Sequence, residues 1–352
     1  MHRYLLLFFS LIASGAAAAD VAAFFNVNVI PMSDERVIEQ QTVIVQDGVI
    51  GRIGHVDEVP VPEGARVIDG TDRFLIPGLA EMHAHVPPVA SGDLDRDLAL
   101  FVVNGVTTVR GMLGHPSHLE LRTALLEGEA FGPRLITSGP SLNGRSVNGA
   151  ADGARQVREQ HAAGYDFIKI HPGLDDEEFA AIAAAANELG MPFAGHVPVA
   201  VGLASALASG MASIDHLDGY MAALMPPGKD ASGGYGGFFD VLLAGDVEEE
   251  GITELAAATA AAGTWTVPTE TLVEQLNNAT PASELRNRVE MRYVPAATVD
   301  RWVSAKEQHR QERGFSAEIA AEAIRSRRAL IRELHDAGAG ILLGSDAPQV
   351  FN

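Results

Sequence analysis

The segment that decides the fold is Leu75–His85, LIPGLAEMHAH, an apolar run that ends in two histidines. Side chains of a β-strand alternate between its two faces, so His83 and His85 are predicted to point to the same side. Two imidazoles side by side can hold one divalent cation. An isolated His-x-His pair is more often a pair of hydrogen-bonded surface histidines, so the remaining ligands must come from elsewhere in the chain.

The chain has 352 residues, with 46 acidic and 25 basic side chains and no cysteine. Its net charge of −21 argues against nucleic acid and anionic membranes as partners. Without cysteine there is no disulfide framework and no thiol nucleophile. The charge says nothing specific about a substrate; a small molecule is the partner expected from the motifs described below, and homo-oligomerisation is left open.

Residues 1–19 combine a basic start, the apolar run Tyr4–Ile12 and a series of small residues before Asp20. This pattern predicts a secretory signal peptide, and hence a periplasmic or secreted protein. The apolar run is too short to span a bilayer, so no membrane association is expected after cleavage.

Residues 20–76 are predicted to form a small, partial β-sandwich subdomain. Short strands are expected near 24–30, 41–45 and 49–53. Asp47-Gly48, between the last two, is a strong hairpin signal.

From residue 77 to residue 352, short apolar segments alternate with helical stretches, which is typical of βα units around a parallel sheet. The clearest helix is expected after Asp175, with Glu178 completing its cap and Gly190 ending it. Eight strands are predicted, the number in a (β/α)8 TIM barrel of the α/β class. They lie at residues 79–85, 107–112, 133–138, 166–171, 192–197, 212–217, 264–268 and 340–346.

The spacing of the predicted strands indicates inserted sequence. From His216 to Asp346 is 130 residues, where two barrel units need roughly 50–60. The insertions are expected within 220–250 and 275–315. The glycine-rich stretch 228–237 is interpreted as a flexible loop near the barrel mouth, with a lid as one role.

Lys169 is one of three lysines and lies inside an apolar strand. Ile168 and Ile170 should face the helices, so Lys169 should face the barrel interior. Burial disfavours the charged form of an amine, and a neutral amine can add CO2 to give a carbamate that bridges two metal ions. The alternative is a lysine that reaches the barrel mouth or pairs with an acid.

Three further groups stand at predicted strand ends. His196 and His216 end the fifth and sixth strands, and Asp346 ends the eighth. Barrel active sites are built at these carboxyl ends. Each residue alone is more often structural, and an aspartate there can simply cap the next helix.

Together these motifs resemble the amidohydrolase superfamily of metal-dependent hydrolases. More narrowly they are similar to its imidazolonepropionase-like and prolidase-like branch with a carboxylated lysine. The resemblance implies two divalent metal ions; zinc suits the mixed imidazole and oxygen ligands, and manganese, cobalt and iron remain alternatives. His83, His85 and Asp346 would hold one, and His196 and His216 the other. It also implies that carboxylated Lys169 and a hydroxide bridge the ions, and that Asp346 carries the proton to the leaving amine.

The resemblance favours an exported binuclear hydrolase of amide-type C–N bonds in small peptides or N-acyl amino acids. One alternative is that the same site cleaves a lactone, a cyclic amide or a phosphotriester. The other is a non-catalytic periplasmic pseudoenzyme that binds metal or ligand. A mononuclear deaminase-like site is disfavoured because it has no need for Lys169.

Substrate-binding residues are not identified by any motif. His171, Arg110 and Tyr220 are candidates, each of them about as readily structural. His118 and His309, like the other histidines of helical or loop segments, are expected to be solvated.

The resemblance also concerns the end of the chain. Members of the superfamily continue beyond the eighth strand through a last helix and return to complete the β-subdomain, whereas this sequence ends at Asn352. The expectation is a barrel without its C-terminal helix and a sandwich without its returning strands. Exposed apolar surface and strand edges would lower its stability and activity.

Overall fold

The computed structural model describes residues 20–226 and 238–352. The predicted signal peptide and the predicted lid, residues 228–237, lie outside these ranges. Two compact units are present, one ending at Gly78 and the other comprising Leu79–Asn352. Among the described helices, none has the length and apolar character needed to cross a bilayer.

The first unit contains a five-stranded sheet. Its strands are β1 Val21–Val29, β2 Ile38–Gln46, β3 Val49–His55, β4 Arg66–Asp69 and β5 Phe74–Leu75. The order is β3-β2-β1-β4, and β5 also pairs with β1. Asp47 and Gly48 join β2 to β3 with φ values of 50° and 78°, as a two-residue hairpin turn requires. The predicted hairpin is therefore confirmed.

Seven regular strands of the second unit match the first seven predicted barrel strands. Neighbouring strands within each sheet are parallel, and the sheets are ordered β6-β7-β8 and β12-β11-β10-β9. Single bridges from Ser138 to Phe167 and from Leu142 to Ile170 connect the two sheets. The strands are β6 Leu79–Ala84, β7 Val106–Gly111, β8 Arg134–Thr137, β9 Ile168–Ile170, β10 Phe193–Gly195, β11 Ser213–Asp215 and β12 Trp265–Val267.

The prediction of a regular eighth strand at 340–346 is wrong in detail. The segment makes one bridge, between Ile341 and Thr266. It nevertheless fills the eighth position, because Met82 N donates to Leu343 O and His85 N to Ala347 O, each at 2.8 Å. Between these two bonds, the Ser345 N–H donates to the side-chain carboxylate of Glu81 and not to a backbone carbonyl, so the ladder is irregular there. With this segment in place, the predicted (β/α)8 architecture is confirmed.

Helices follow the strands on the outside of the barrel. The predicted helix after Asp175 is α4, with a complete capping box to Glu178 and a left-handed Gly190 at its end. The α-helices are α1 Leu94–Val103, α2 His118–Glu127, α3 Ala150–Ala163, α4 Asp176–Leu189, α5 Gly202–Ala208, α6 Tyr220–Ala223, α7 Ile252–Ala262, α8 Glu270–Asn277, α9 Ala282–Arg286, α10 Ala296–His309 and α11 Ala317–Asp336. Short 3-10 helices span Phe238–Asp246, Glu249–Gly251 and Val289–Tyr293.

The predicted insertion at 275–315 is largely helical. It contains α9, a 3-10 turn and α10, all between β12 and α11. Trp302 of α10 is buried with Val299 and Leu285 in a separate apolar cluster. Phe351, from the C-terminal end of the described chain, completes this cluster, so the insertion packs against the segment that follows Asp346.

The main core lies between the strands and the surrounding helices. Ile168 and Ile170 are fully buried there with Phe179 and Ile182 of α4. Lys169, between them, points the other way and is also fully buried. The alternation predicted for this strand therefore holds, and it directs the lysine into the barrel.

Candidate metal centre

The strand ends bring the predicted ligands to one place inside the barrel. The ring centroid of His216 lies 4.5 Å from that of His83 and 4.7 Å from that of His196. The rings of His83 and His85 stack at 5.6 Å. The six predicted side chains are those of His83, His85, Lys169, His196, His216 and Asp346.

Two groups of three side chains could each hold a cation, because within each group the possible ligand atoms all lie within 4.8 Å of one another. The first is His83, His85 and Asp346, the set predicted for one metal ion. The second is His83, Asp215 and His216, and it contains an aspartate that sequence reasoning missed. His196, predicted to share the second ion with His216, stands beside that histidine but belongs to neither group.

The imidazoles of the centre are held in their neutral form. Burial lowers the pKa of His83, His85 and His196 to about 3, and the neighbouring positive charge of Lys169 adds to the effect. Burial also holds the pKa of His216 well below its usual range. Neutral imidazole is the form that binds a cation, so these side chains are ready to act as ligands.

Asp346 offers a buried oxygen without a hydrogen bond. Its Oδ1 accepts none, although it lies 3.1 Å from Nε2 of His85 and 3.5 Å from Nε2 of His83. Burial, opposed by the charge of Lys169 and assisted by the charges of Asp215 and Glu81, raises the pKa of Asp346 to about 8. Convergent oxygen and nitrogen atoms of this kind are the donor set of a divalent cation such as zinc.

Gly344 allows the eighth segment to approach this group. A Cβ on Gly344 would lie 2.3 Å from Cγ1 of Val267 and 3.2 Å from Cβ of His83. Any larger residue would push the segment, and Asp346 with it, away from the first strand.

Lys169 is paired with an acid, the arrangement that the sequence left as an alternative. Its Nζ donates to Oδ2 of Asp215 at 2.7 Å, and both side chains are fully buried. Burial alone would raise the pKa of Asp215, but Lys169, His83 and Arg110 together hold it well below its usual range. Carboxylation of Lys169 remains a prediction.

Asp215 escaped the sequence prediction for a backbone reason. In a regular strand, Asp215 and His216 would face opposite sides. His216 has a left-handed φ of 60°, which breaks the alternation directly after β11. Both side chains then face the centre, a result that residue spacing cannot reveal.

Neighbouring side chains orient the two later histidines. Nδ1 of His196 lies 2.6 Å from Oδ2 of Asp218, and Nδ1 of His216 lies 2.7 Å from Oγ1 of Thr269. Burial is the main cause that raises the pKa of Asp218 to about 7, and the negative charge of Asp215 is the second cause. With Nδ1 engaged, the Nε2 atom of each ring is the one left for a cation.

Glu81 joins the first and eighth barrel segments. Its Oε1 accepts hydrogen bonds from His83 N at 2.8 Å and Ser345 N at 2.9 Å. Its Oε2 accepts from Oγ of Ser345 at 2.6 Å. One carboxylate therefore ties together the two segments that carry His83, His85 and Asp346.

Two of the three weaker substrate candidates have structural roles. The Arg110 guanidinium donates to Met82 O at 2.7 Å and to Oγ of Ser213 at 2.9 Å, inside the barrel. Tyr220 is fully buried, with its hydroxyl 2.8 Å from Oγ1 of Thr259. His171 alone remains at the mouth, its ring centroid 4.8 Å from that of His196.

The expectation that His118 and His309 are solvated is wrong. Both are buried, at 0% and 4% exposure. Nε2 of His118 lies 3.2 Å from Pro87 O, and Nε2 of His309 lies 2.7 Å from Oδ1 of Asn277. Each finds a polar partner in the core, which a helical position in the sequence does not disclose.

Comparison with known proteins identifies the family. The profile of the amidohydrolase family matches residues 74–351, and the chain belongs to that family. It is therefore a hydrolase of a family that generally binds divalent metal ions. A search of curated protein sequences finds no significant match.

Solved structures share the fold at low identity. Bottromycin amidohydrolase is 23% identical with a TM-score of 0.68, over 94% of this chain and 70% of its own. A Xaa-Pro dipeptidase with methionine bound in its active site is 18% identical with a TM-score of 0.61, over 93% and 79%. The ochratoxinase of A. niger is 16% identical with a TM-score of 0.60, over 93% and 76%. At these identities the likeness concerns the fold alone.

Proposed function

We propose that the chain is an exported binuclear metal-dependent amidohydrolase that cleaves amide-type C–N bonds in small peptides or N-acyl amino acids. The observation that carries the proposal is the convergence of four neutral imidazoles and Asp346 at the carboxyl ends of the barrel strands. Catalytic groups of barrel enzymes are built at this end.

Two divalent metal ions, for which zinc suits the imidazole and carboxylate ligands, would be divided between two sets of ligands. His83, His85 and Asp346 would hold the first ion, and His196 and His216 the second. Carboxylated Lys169 would be shared by both. When bound, divalent cations lower the pKa of water and polarise a scissile carbonyl.

Asp346 is proposed to move the proton. Its carboxylate would accept a proton from the attacking water and deliver it to the leaving nitrogen, as a general base and then a general acid. Its pKa of about 8 in the metal-free protein would fall beside a cation, because nearby positive charge favours the carboxylate. The group would then be ionised at the start of the reaction.

Carboxylation of Lys169 requires a change from the arrangement described above. The ammonium must lose one proton to solvent and leave Oδ2 of Asp215 before its nitrogen can bond to the carbon of CO2, and the nitrogen releases a second proton to solvent as the carbamate forms. The product is an anion at the position of a cation. That change of charge suits a site that gathers two divalent ions.

Support for an amide substrate comes from the family and from similar structures. One similar protein is named as a Xaa-Pro dipeptidase and another as an amidohydrolase. Export is proposed from residues 1–19 alone, and cell fractionation of the full chain beside a chain that starts at Asp20 tests it. Retention of both proteins in the cytoplasm would contradict export.

The test of the activity is a substrate panel with the zinc-loaded protein. The panel contains dipeptides, N-acyl amino acids, lactones and paraoxon, and it is run beside Asp346→Asn. The expected result is cleavage of an amide substrate that the variant loses by at least about 100-fold, as removal of a general base predicts. Asp300→Asn, an exposed aspartate paired with Arg286, is the matched control.

Two outcomes would redirect the proposal. Cleavage of lactones or paraoxon without amides would mean that the site serves another bond. Zinc binding without turnover of any panel member would favour the pseudoenzyme.

A further inference from the structure

A second feature of the barrel mouth is a cleft beside the metal centre. It lies between the loop after β8 and the loop after β9 and has a volume of about 480 Å³. The ring of His171, on one wall, is 4.8 Å from the ring of His196. The lining residues are Asn143, Gly144, Arg145, His171, Pro172 and Gly173.

The two loops are held together by backbone contacts. Leu142 N donates to Lys169 O at 2.9 Å, and His171 N donates to Leu142 O at 2.8 Å. One step further out, a Cβ on Gly144 would lie 2.1 Å from Gly173 O. Glycine at 144 is therefore required for the close approach, and the cleft has a fixed floor beside the strand of Lys169.

Arg145 is presented by a well-defined turn. Oδ1 of Asn143 accepts from Arg145 N at 2.8 Å and from Ser146 N at 3.1 Å. Asn143 N donates in turn to Oγ of Ser146 at 3.0 Å. This local network, an Asx-type turn, fixes the backbone of Arg145 at the cleft.

The Arg145 side chain is exposed, and its guanidinium makes no hydrogen bond or ion pair within residues 20–226 and 238–352. Arg110, Arg155 and Arg327 in contrast each bond a carboxylate. An uncommitted arginine at the mouth is notable in a chain with 46 acidic and 25 basic residues. Its planar fork of donors matches the geometry of a carboxylate or a phosphate, and of these two groups the carboxylate is the one that the small peptides and N-acyl amino acids of the proposed function carry.

We propose that Arg145 binds an anionic group of the substrate, a carboxylate, in this cleft. The proposal rests on the proposed function and narrows it to amides that carry a free carboxylate near the scissile bond. The reacting carbonyl would lie at the metal centre, while the carboxylate reaches past His171 to the guanidinium. Arg145 thereby acts as a specificity-determining residue.

The test compares a substrate with and without its negative charge. The best-cleaved amino acid derivative of the panel and its methyl ester are assayed at the same amide bond with wild type, Arg145→Gln and Arg145→Lys. Wild type is expected to prefer the free acid. Arg145→Gln should lose about 10- to 100-fold in kcat/KM on the acid, mainly through KM, and less than about threefold on the ester.

Arg145→Lys should recover part of that loss, since it retains the charge. Arg158→Gln, on the surface of α3 with Glu188 3.6 Å away, is the matched control and should resemble wild type. Zinc content should be equal in all four proteins. Equal losses on acid and ester, or equal cleavage of both by wild type, would overturn the inference while the proposed function stands.

If wild type cleaves no amide, the proposed function fails, and the cleft is tested by calorimetry with N-acetyl-L-alanine. Binding weakened at least tenfold by Arg145→Gln would support the carboxylate site. Undetectable binding to wild type, or equal binding to the variant, would overturn it.

Discussion

The buried pair of Lys169 and Asp215 is expected to determine the stability of the metal-free barrel. Asp215→Asn removes the only negative charge in contact with Nζ of Lys169 among the described residues, at 2.7 Å. It also removes the charge 3.4 Å from Arg110 and 3.2 Å from Nδ1 of His83. Lys169 would then lose its ion-pair partner in the interior, and Arg110 would keep only the nearby charge of Glu81 within the described part of the chain.

The magnitude follows from the burial of the pair. Both side chains are 0% exposed, and breaking a buried ion pair on one side costs about 3–5 kcal/mol. Asparagine keeps one acceptor for Lys169, so the expected loss in the free energy of unfolding is near the lower limit, about 3 kcal/mol. Asp300→Asn, which breaks an exposed pair with Arg286, should cost less than about 1 kcal/mol.

The assay is equilibrium unfolding in urea of metal-free, bicarbonate-free protein. A double-mutant cycle with Lys169→Gln measures the coupling between the two side chains, expected to exceed about 1 kcal/mol. A loss below 1 kcal/mol for Asp215→Asn, together with an additive cycle, would refute this account of the pair.

Three other predictions concern the ligands and their supports. Glu81→Gln should weaken binding of the first metal ion by about 10- to 100-fold, because the Glu81 carboxylate helps to position His83. Unchanged metal affinity in a chelator competition would contradict this. Asp218→Asn should weaken the second ion by a similar factor through the loss of the charged partner of His196, and an effect confined to the first ion would argue against the assignment. In metal-free protein, Asp346 binds a proton in the folded state between its ordinary pKa and its pKa of about 8, so wild type should lose stability relative to Asp346→Asn as pH rises from 5 to 8, by up to about 1.4 kcal/mol per pH unit. A difference between the two unfolding free energies that stays constant over this range would show that Asp346 titrates normally.

Periodicity predicted those parts of the barrel in which the backbone is regular. Alternation placed His83 and His85 on one face, and it separated Lys169 from Ile168 and Ile170, as the structure has them. Capping residues located α4 to the residue. These features depend on local geometry, which the sequence expresses directly.

Features that depend on irregular backbone or on distant partners were not predicted. Asp215 faces the centre only because His216 adopts a left-handed conformation. Glu81 replaces part of the strand ladder by binding Ser345, 264 residues away. Arg110 donates a hydrogen bond to Ser213, which is distant in sequence, and nothing near Arg110 in the sequence distinguishes that structural role from substrate binding.

The measurement that tests the central claim most directly is metal content per chain. Protein expressed with zinc and bicarbonate is analysed by elemental analysis beside Lys169→Ala. The binuclear account predicts close to two zinc ions per chain in wild type and a sharp decrease in the variant. Close to one ion in both proteins would contradict it, because Lys169 would then be a structural partner of Asp215 and the centre would hold a single ion.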